Sequence, residues 1–420
     1  MAVNNLLTYL KKPVFLSALI CTFIFYSGFF VIPQRSLVNS LFEESQISEI
    51  SGQILSSPAK SSNGAYYTSS FLLNGVKTRQ NYFSSARGRL KVFIPSAIAE
   101  AYSPGKLFSE GKDGAYLYET GGNYTFTGSW TEKGFYVKKC TACHWASNFS
   151  GRLAHFRALC RLHFKRLMYG WGSGGGLLLA LLCGAREYTD PATQDNFRRA
   201  GLSHILALSG MHLSMFSAIA VFFGNRAGIK KLTFVLRIIA LVAFVWFAGF
   251  SPSLTRAFIC ALLLLAATIA GAQKPDMLSI LCFSFLLQCS ICPQDIHETA
   301  FILSYGALSG ILIFSSLFHR YYSKLFPRAA ASSLSAATAA QTFTAPISLR
   351  LFGSFSPIGI VSATVVSPFV TFFIYSGLVL ILLSLIFPFL AKPSGIFINL
   401  QYTVINYIVK IFSLVPDLHS

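Results

Sequence analysis

Charge is what this chain has least of. Of its 420 residues only 12% are Asp, Glu, Lys or Arg, against about 25% in an ordinary soluble domain, which excludes a water-covered globule as the main architecture. No GxxxxGK[ST] phosphate loop occurs, so nothing here drives transport by ATP hydrolysis. No HExxH pair occurs, which argues against a zinc protease of that class. Internal repeats and low-complexity tails are missing as well. The nine cysteines show no disulfide framework, and Cys260 and Cys282 fall inside apolar runs, where a thiol acts as a small hydrophobe.

What is present is apolar: 53% of residues are hydrophobic, with several runs near the 20 residues that span a bilayer as helix, mostly after residue 175. Helices are expected because lipid offers backbone polar groups no partner. Lys and Arg outnumber Asp and Glu 34 to 15, for a net charge of +19. Cytoplasmic loops of membrane proteins collect such residues. An anionic partner, lipid headgroups or nucleic acid, would draw on the same excess. Charge alone leaves both readings open.

Four segments follow. Residues 1–35 hold Lys11 and Lys12 followed by an apolar span over 13–32, read as a retained membrane helix with its N-terminus inside. It is long for a cleaved signal peptide, and no clear small-x-small cleavage site follows. Residues 40–145 are less apolar. Short alternating runs predict strands at Glu49–Ser56, Tyr67–Leu73, Gly88–Pro95, Ala115–Tyr118, Tyr124–Thr127 and Gly134–Lys139, a small extracytoplasmic β-module. An OB-type barrel would fit, a fold that often holds single-stranded nucleic acid; a module that simply packs on the membrane part is the plainer alternative. Residues 151–172 carry Arg152, Arg157, Arg161, Lys165 and Arg166 among Leu153, Phe156, Cys160, Phe164 and Leu167. This is a basic amphipathic helix expected on a lipid surface, followed by a Gly-rich break. Residues 175–415 form a polytopic core, with helices predicted near 177–184, 203–223, 231–249, 254–271, 277–291, 299–317, 332–352, 357–388 and 394–414. The run 357–388 is either one long helix or two broken at Pro368.

Two stretches carry chemistry. In 195–223 (DNFRRAGLSHILALSGMHLSMFSAIAVFF), Arg198 and Arg199 precede an apolar helix that contains His204, Ser209 and His212. Ionisable residues inside a span usually face a cavity or a partner. A regular helix would align Ser203, Ala207, Gly210, Ser214 and Ser217 as a small-residue stripe for a neighbouring helix. The Ser209-Gly210 pair would instead break it where backbone lines a cavity. Histidines satisfied by nearby carbonyls are the plain alternative. In 249–257 (GFSPSLTRA), Ser251 is a good N-cap and Pro252 a good first helical residue. Arg256 then sits in a first helical turn, where a cation opposes the helix dipole. That placement suggests an anionic partner or snorkelling to the interface.

Together these stretches resemble the membrane core of the ComEC family of DNA-internalisation proteins. The Gly-Leu-x-His and Ser-Gly-x-His elements fall on Gly201, Leu202, His204, Ser209, Gly210 and His212. The Gly-Phe-Ser-Pro-Ser-x-x-Arg-Ala element falls on Gly249, Phe250, Ser251, Pro252, Ser253, Arg256 and Ala257. FILSY (301–305), Gln341, Pro346, Phe352 and Pro368 also match the family pattern. Ile302 and Ala363 depart from it, standing where Gln and Asn are usual. The likeness covers roughly 175–390, and the 40–139 module looks like the family's extracytoplasmic OB-like domain.

The resemblance implies a channel in the bacterial cytoplasmic membrane for import of single-stranded DNA during transformation. Arg198, Arg199 and Arg256 would contact phosphate or gate the path. His204, Ser209, Gly210, His212, Ser251 and Ser253 would line or shape it. No catalytic residue, metal or cofactor is expected. Many members carry a C-terminal metallo-β-lactamase-like domain, but no HxHxDH-type zinc signature is present, so no nuclease activity is expected. Expected partners are single-stranded DNA, membrane lipid, an extracytoplasmic DNA-delivery protein and a cytoplasmic ATP-driven motor, with oligomerisation open. A transporter of another anionic polymer or solute is the alternative. A weaker signal is CTACH, in which Cys140, Cys143 and His144 match the c-type haem attachment pattern, a disulfide pair, or two free thiols.

Overall fold

A computed structural model of the protein describes residues 12–26, 39–61, 64–102, 116–272, 275–416 and 418–419. The first helix, α1 (Pro13–Tyr26), is apolar on all sides; the rest of the predicted span, 27–32, lies outside the described residues. Lys12 at its start pairs with Asp276 at 2.5 Å. At its end the Tyr26 hydroxyl donates to the Ile296 carbonyl at 2.8 Å.

Alternation of apolar and polar residues builds β1 (Ile47–Ile54), β2 (Ala59–Lys60), β3 (Tyr66–Thr78), β4 (Phe83–Pro95), β5 (Asn123–Thr131) and β6 (Gly134–His144). β1 pairs antiparallel with both β3 and β5. β6 pairs antiparallel with β5 and parallel with β4, so one mixed sheet curls back onto its first strand. Inward residues Ile50, Phe71, Val92, Phe126 and Phe135 are fully buried. Gly52 marks a register shift in β1, and a Cβ there would lie 2.0 Å from the Leu72 carbonyl oxygen. The strand predicted at Ala115–Tyr118 does not form. Tyr116–Tyr118 is coil, with Ala115 outside the described residues. The stretch instead buries Leu117, Tyr118 and Glu119, and Tyr124 ties it down by donating to the Leu117 carbonyl.

The polytopic part comprises α2 (Phe149–Gly170), α3 (Gly172–Cys183), α4 (Pro191–Arg199), α5 (Gly210–Arg226), α6 (Lys230–Ala248), α7 (Pro252–Ile269), α8 (Met277–Ile291), α9 (Thr299–Tyr322), α10 (Arg328–Phe352), α11 (Gly359–Ile386) and α12 (Ala391–Phe412). Among the described residues, five stretches are long and apolar enough to cross a membrane: Lys231–Ala248, Pro252–Ile269, Thr299–Tyr322, Gly359–Ile386 and Pro388–Phe412. Their outward side chains, such as Ile239, Phe372, Leu382 and Leu400, are exposed hydrophobics, as a lipid-facing surface requires. The chain is therefore a multi-pass membrane protein. The run through Pro368 is one helix of 28 residues.

The expected Gly-rich break is helical from Gly172. Gly174, Gly175 and Gly176 are buried contact points; a Cβ on Gly176 would lie 2.1 Å from the Tyr188 carbonyl oxygen. Small residues let backbones approach where lipid supplies no hydrophobic drive. The amphipathic helix α2 is also oriented differently from expectation. Its basic residues Arg157 and Arg161 are buried against protein, whereas Phe149, Leu153 and Phe156 are exposed.

Candidate functional site

The apolar stretch after Arg199 is broken, so the small-residue stripe does not form on one helix. A single turn, Ser203–Leu206, precedes extended residues, and α5 begins at Gly210. His204 is exposed on that turn. Ser209 is the N-cap of α5. Its backbone N–H donates to Nδ1 of His212 at 3.2 Å, and its hydroxyl lies 3.4 Å from the same nitrogen. His212 occupies the place that Glu or Gln takes in an ordinary capping box. With Nδ1 accepting, the neutral ring carries its proton on Nε2. That atom is buried without a partner among the described residues.

Arg256 comes from the first turn of α7, which Ser251 caps by accepting from the Leu254 N–H at 3.4 Å. Its guanidinium, 9% exposed as a residue, turns inward. Nη1 donates to the Ser304 carbonyl, the group lies 5.7 Å from the Tyr305 ring centroid, and Nη2 lies 3.7 Å from where a Cβ on Gly210 would be. Arg256 therefore joins the first turn of α5, the start of α7 and the FILSY segment of α9. Ser253 ties α7 to the same helix by donating to the Ala300 carbonyl at 3.1 Å.

Arg198 and Arg199 are set apart from this cluster. Both are exposed and share Asp195, at 2.8 and 2.7 Å, so an anion reaching them competes with that carboxylate. Behind them, Gly201 (φ +71°) packs on Gly359, while Ser356 and Ser362 donate to the carbonyls of Arg199 and Ala200. The amide nitrogen of Gln341 lies against Gly359 and its Oε1 is buried without a partner among the described residues. Motif residues far apart in sequence thus meet at this corner. Ile302 and Ala363, the two departures from the pattern, pack among apolar side chains.

Sequence reasoning missed a polar network beside Arg256. Gln288 donates to the Pro252 carbonyl at 3.1 Å and to Asp295 at 2.8 Å, and accepts from the Tyr305 hydroxyl at 3.0 Å. Ser284 lies 3.3 Å from that hydroxyl. Arg237 was missed too; it donates to Ser217 at 2.7 Å. The signal was there, because Gln288 and Arg237 are polar residues inside apolar runs.

Neither Cys140 nor Cys143 takes part in a disulfide among the described residues. Cys140 is buried in the barrel core, Cys143 packs against the same core, and His144 is exposed. Among the described residues no group of three or more His, Cys, Asp or Glu could hold a metal.

The barrel meets the membrane core at a buried charge cluster. Arg161 Nε donates to Glu119 Oε1 at 3.1 Å, Ser57 donates to Oε2 at 2.7 Å, and Lys165 lies 3.5 Å from Glu119 and 3.3 Å from Glu187. Burial alone would raise the Glu119 pKa, but Arg161, Lys165, the Ser57 hydrogen bond and Arg157 outweigh it and bring it down to about 2. A lowered carboxyl pKa contributes stability above the unfolded value of 4.5, lost as pH falls from there through about 2. The loss is about 3 kcal/mol. Detergent-solubilised protein should therefore melt progressively earlier over that window, and Glu119→Gln should flatten the dependence.

These features define a multi-pass membrane protein with a charged and polar cluster where its β-module meets the membrane helices. The profile of the Competence protein family matches residues 181–419, and the chain belongs to that family. It is 26% identical over 245 residues to ComE operon protein 3 of Bacillus subtilis (strain 168), covering 58% of this chain and 30% of that protein. It is 28% identical over 155 residues to Recombination protein 2 of Haemophilus influenzae, covering 35% of this chain and 19% of that protein. The chain thus spans under a third of the length of either relative. No solved structure matches significantly.

Proposed function

We propose that the protein passes single-stranded DNA across the bacterial cytoplasmic membrane in natural transformation, as a channel rather than an enzyme. The observation that carries this reading is Arg256. A family-motif cation is held inside the membrane part at the end that meets the β-module, beside the first turn of α5. Helix N-termini and guanidinium groups both favour phosphate.

The four segments at 1–35, 40–145, 151–172 and 175–415 divide the work. The first anchors the chain. The second is an OB-type barrel, a reading supported by its closed pairing order and its single parallel pair, β4–β6. Phe93 and Tyr136 stack on its outer face at 4.5 Å, Tyr66 meets Tyr136 edge-on at 5.4 Å, and Lys91 and Lys138 are exposed on the same strands. Aromatic rings beside cations suit a single strand, whose bases stack at about 1–3 kcal/mol each. Arg89 on β4 donates to Gln294 of the membrane part, so that face continues toward Pro252 through Asp295 and Gln288. The exposed apolar side of α2 rests on lipid. The fourth segment holds the path, with Arg256 and His212 inside, Ser209, Gly210, Ser251 and Ser253 shaping the turns, and Arg198, Arg199 and His204 on its margin. The protein's proposed partners are a DNA-delivery protein outside and an ATP-driven motor inside.

The test is import of labelled DNA into the cytoplasm of cells carrying wild type or a deletion. Loss of import with surface-bound DNA retained is the expected result. Unchanged import in the deletion removes this function, and the reading as a transporter of another anionic solute then comes first. On the purified chain, the double substitution Phe93→Ala with Tyr136→Ala should weaken single-stranded DNA binding by roughly tenfold or more, measured by fluorescence anisotropy.

A further inference from the structure

The last turn of α6 ends in free carbonyls, and two guanidinium groups from α2 take them. Arg161 Nη1 donates to Phe247 and Ala248 at 2.7 and 3.0 Å. Arg157 Nε donates to Trp246 at 2.5 Å. Cations at a helix C-terminus are favoured by its dipole and satisfy carbonyls that have no intrahelical partner. The next residue is Gly249, at φ +96°, and a Cβ there would lie 3.0 Å from Arg157 Nη2. After it the chain runs through exposed Phe250 to Ser251, Ser253 and Arg256.

The other side of Arg161 is held by the barrel, through Glu119. Three cations (Arg157, Arg161, Lys165) here face two carboxylates, Glu119 and Glu187, with the α6 carbonyls supplying the remaining negative character. Arg161 is 3% exposed, and a buried guanidinium stays only while both partners are in place. A cavity of about 60 Å³ adjoins the cluster, lined in part by Tyr67, Glu119, Lys165, Glu187 and Tyr188. It has room for a few waters.

We propose that Arg161 is a positioning residue that couples the β-module to the membrane path: Glu119 of the module holds Arg161 on the last carbonyls of α6, and this sets the Gly249 turn that delivers Arg256. Arg157 is the second clamp on the same turn. Releasing Glu119 from Arg161 loosens the turn and frees Ser253 and Arg256 from α9. The inference rests on the reading of the Arg256 segment as part of the DNA path.

The experiment introduces Ser253→Cys into the full-length protein in its native membrane. Modification of residue 253 by a membrane-impermeant maleimide is followed by peptide mass spectrometry, against the parent chain. Arg161→Ala and Glu119→Ala should each raise the labelling rate roughly fivefold. The double variant should go no further than Arg161→Ala alone, because both act on one linkage. Glu119→Gln, which keeps an acceptor oxygen, should fall between wild type and Glu119→Ala, and it carries the test if the alanine variants fail to accumulate. Unchanged labelling in Arg161→Ala and Glu119→Gln, or single effects that add, overturns the coupling. DNA import is measured on the same cells. Raised labelling with import unchanged upholds the coupling and removes the Arg256 segment from the import path.

Discussion

Arg256→Ala should reduce DNA import by roughly 10- to 100-fold at equal protein level, since a buried hydrogen bond to a charged group is worth about 1.5–3 kcal/mol. The substitution deletes the donor to the Ser304 carbonyl and the charge beside the Tyr305 ring. It also removes the guanidinium placed against Gly210. Arg256→Lys separates these effects. A lysine keeps the charge but cannot hold the Ser304 carbonyl and face Gly210 at once, so it should restore only part of the import. Equal import by wild type and Arg256→Ala, with equal amounts of protein in the membrane, would show that Arg256 is packing and not path. His212→Ala should act in the same direction with a smaller effect. It removes the acceptor of the Ser209 N–H and frays the start of α5, leaving the cation in place.

Gly201→Ala should be the most damaging small substitution in the membrane part, and Gly228→Ala is its control. Both glycines hold left-handed backbone, at φ +71° and +70°. At Gly228 nothing lies within 4 Å of an added Cβ, so the cost is the conformational one, about 1 kcal/mol. At Gly201 the same methyl would sit 2.8 Å from the Gly359 Cα and 3.2 Å from the Ser356 carbonyl oxygen. Backbone cannot swing aside as a flexible side chain would, and both seryl hydrogen bonds to residues 199 and 200 depend on this approach. The combined cost is about 3 kcal/mol or more. It should appear as a lower melting temperature in detergent and less protein in the membrane, with Gly228→Ala close to wild type. Similar losses for the two variants would mean that the α4–α11 contact carries no special weight.

Much of the architecture was legible because membrane helices are written in composition. The apolar runs near 231–249, 254–271, 299–317 and 394–414 became α6, α7, α9 and α12 within a few residues, since a continuous apolar run of about 20 residues satisfies its backbone in lipid as a helix. Five of the six predicted strands formed, because period-two alternation with turn residues between is a local signal. The sixth, at Ala115–Tyr118, misled: its apolar residues are buried by a coil that carries Glu119 to Arg161, and burial looks the same in sequence whichever backbone achieves it. The candidate site was legible as a set of residues, not as an arrangement. GFSPSLTRA announced an N-cap and an intramembrane cation, and Ser251 and Arg256 took those roles.

The sequence by itself determined that this is a membrane protein with a β-module, and which short elements carry its polar residues. Those properties follow from hydropathy, periodicity and capping, which act over a few turns of chain. Only the tertiary structure decided that α2 turns Arg157 and Arg161 to protein and Phe149 and Phe156 outward. The same composition serves either orientation, and the choice depends on acceptors supplied by Glu119 and by the end of α6, about 40 residues before Arg161 and nearly 90 after it. It also decided that Arg198 and Arg199 are spent on Asp195 while Arg256 is turned inward to Ser304, because a cation's partner is set by what the fold brings within about 3 Å of it.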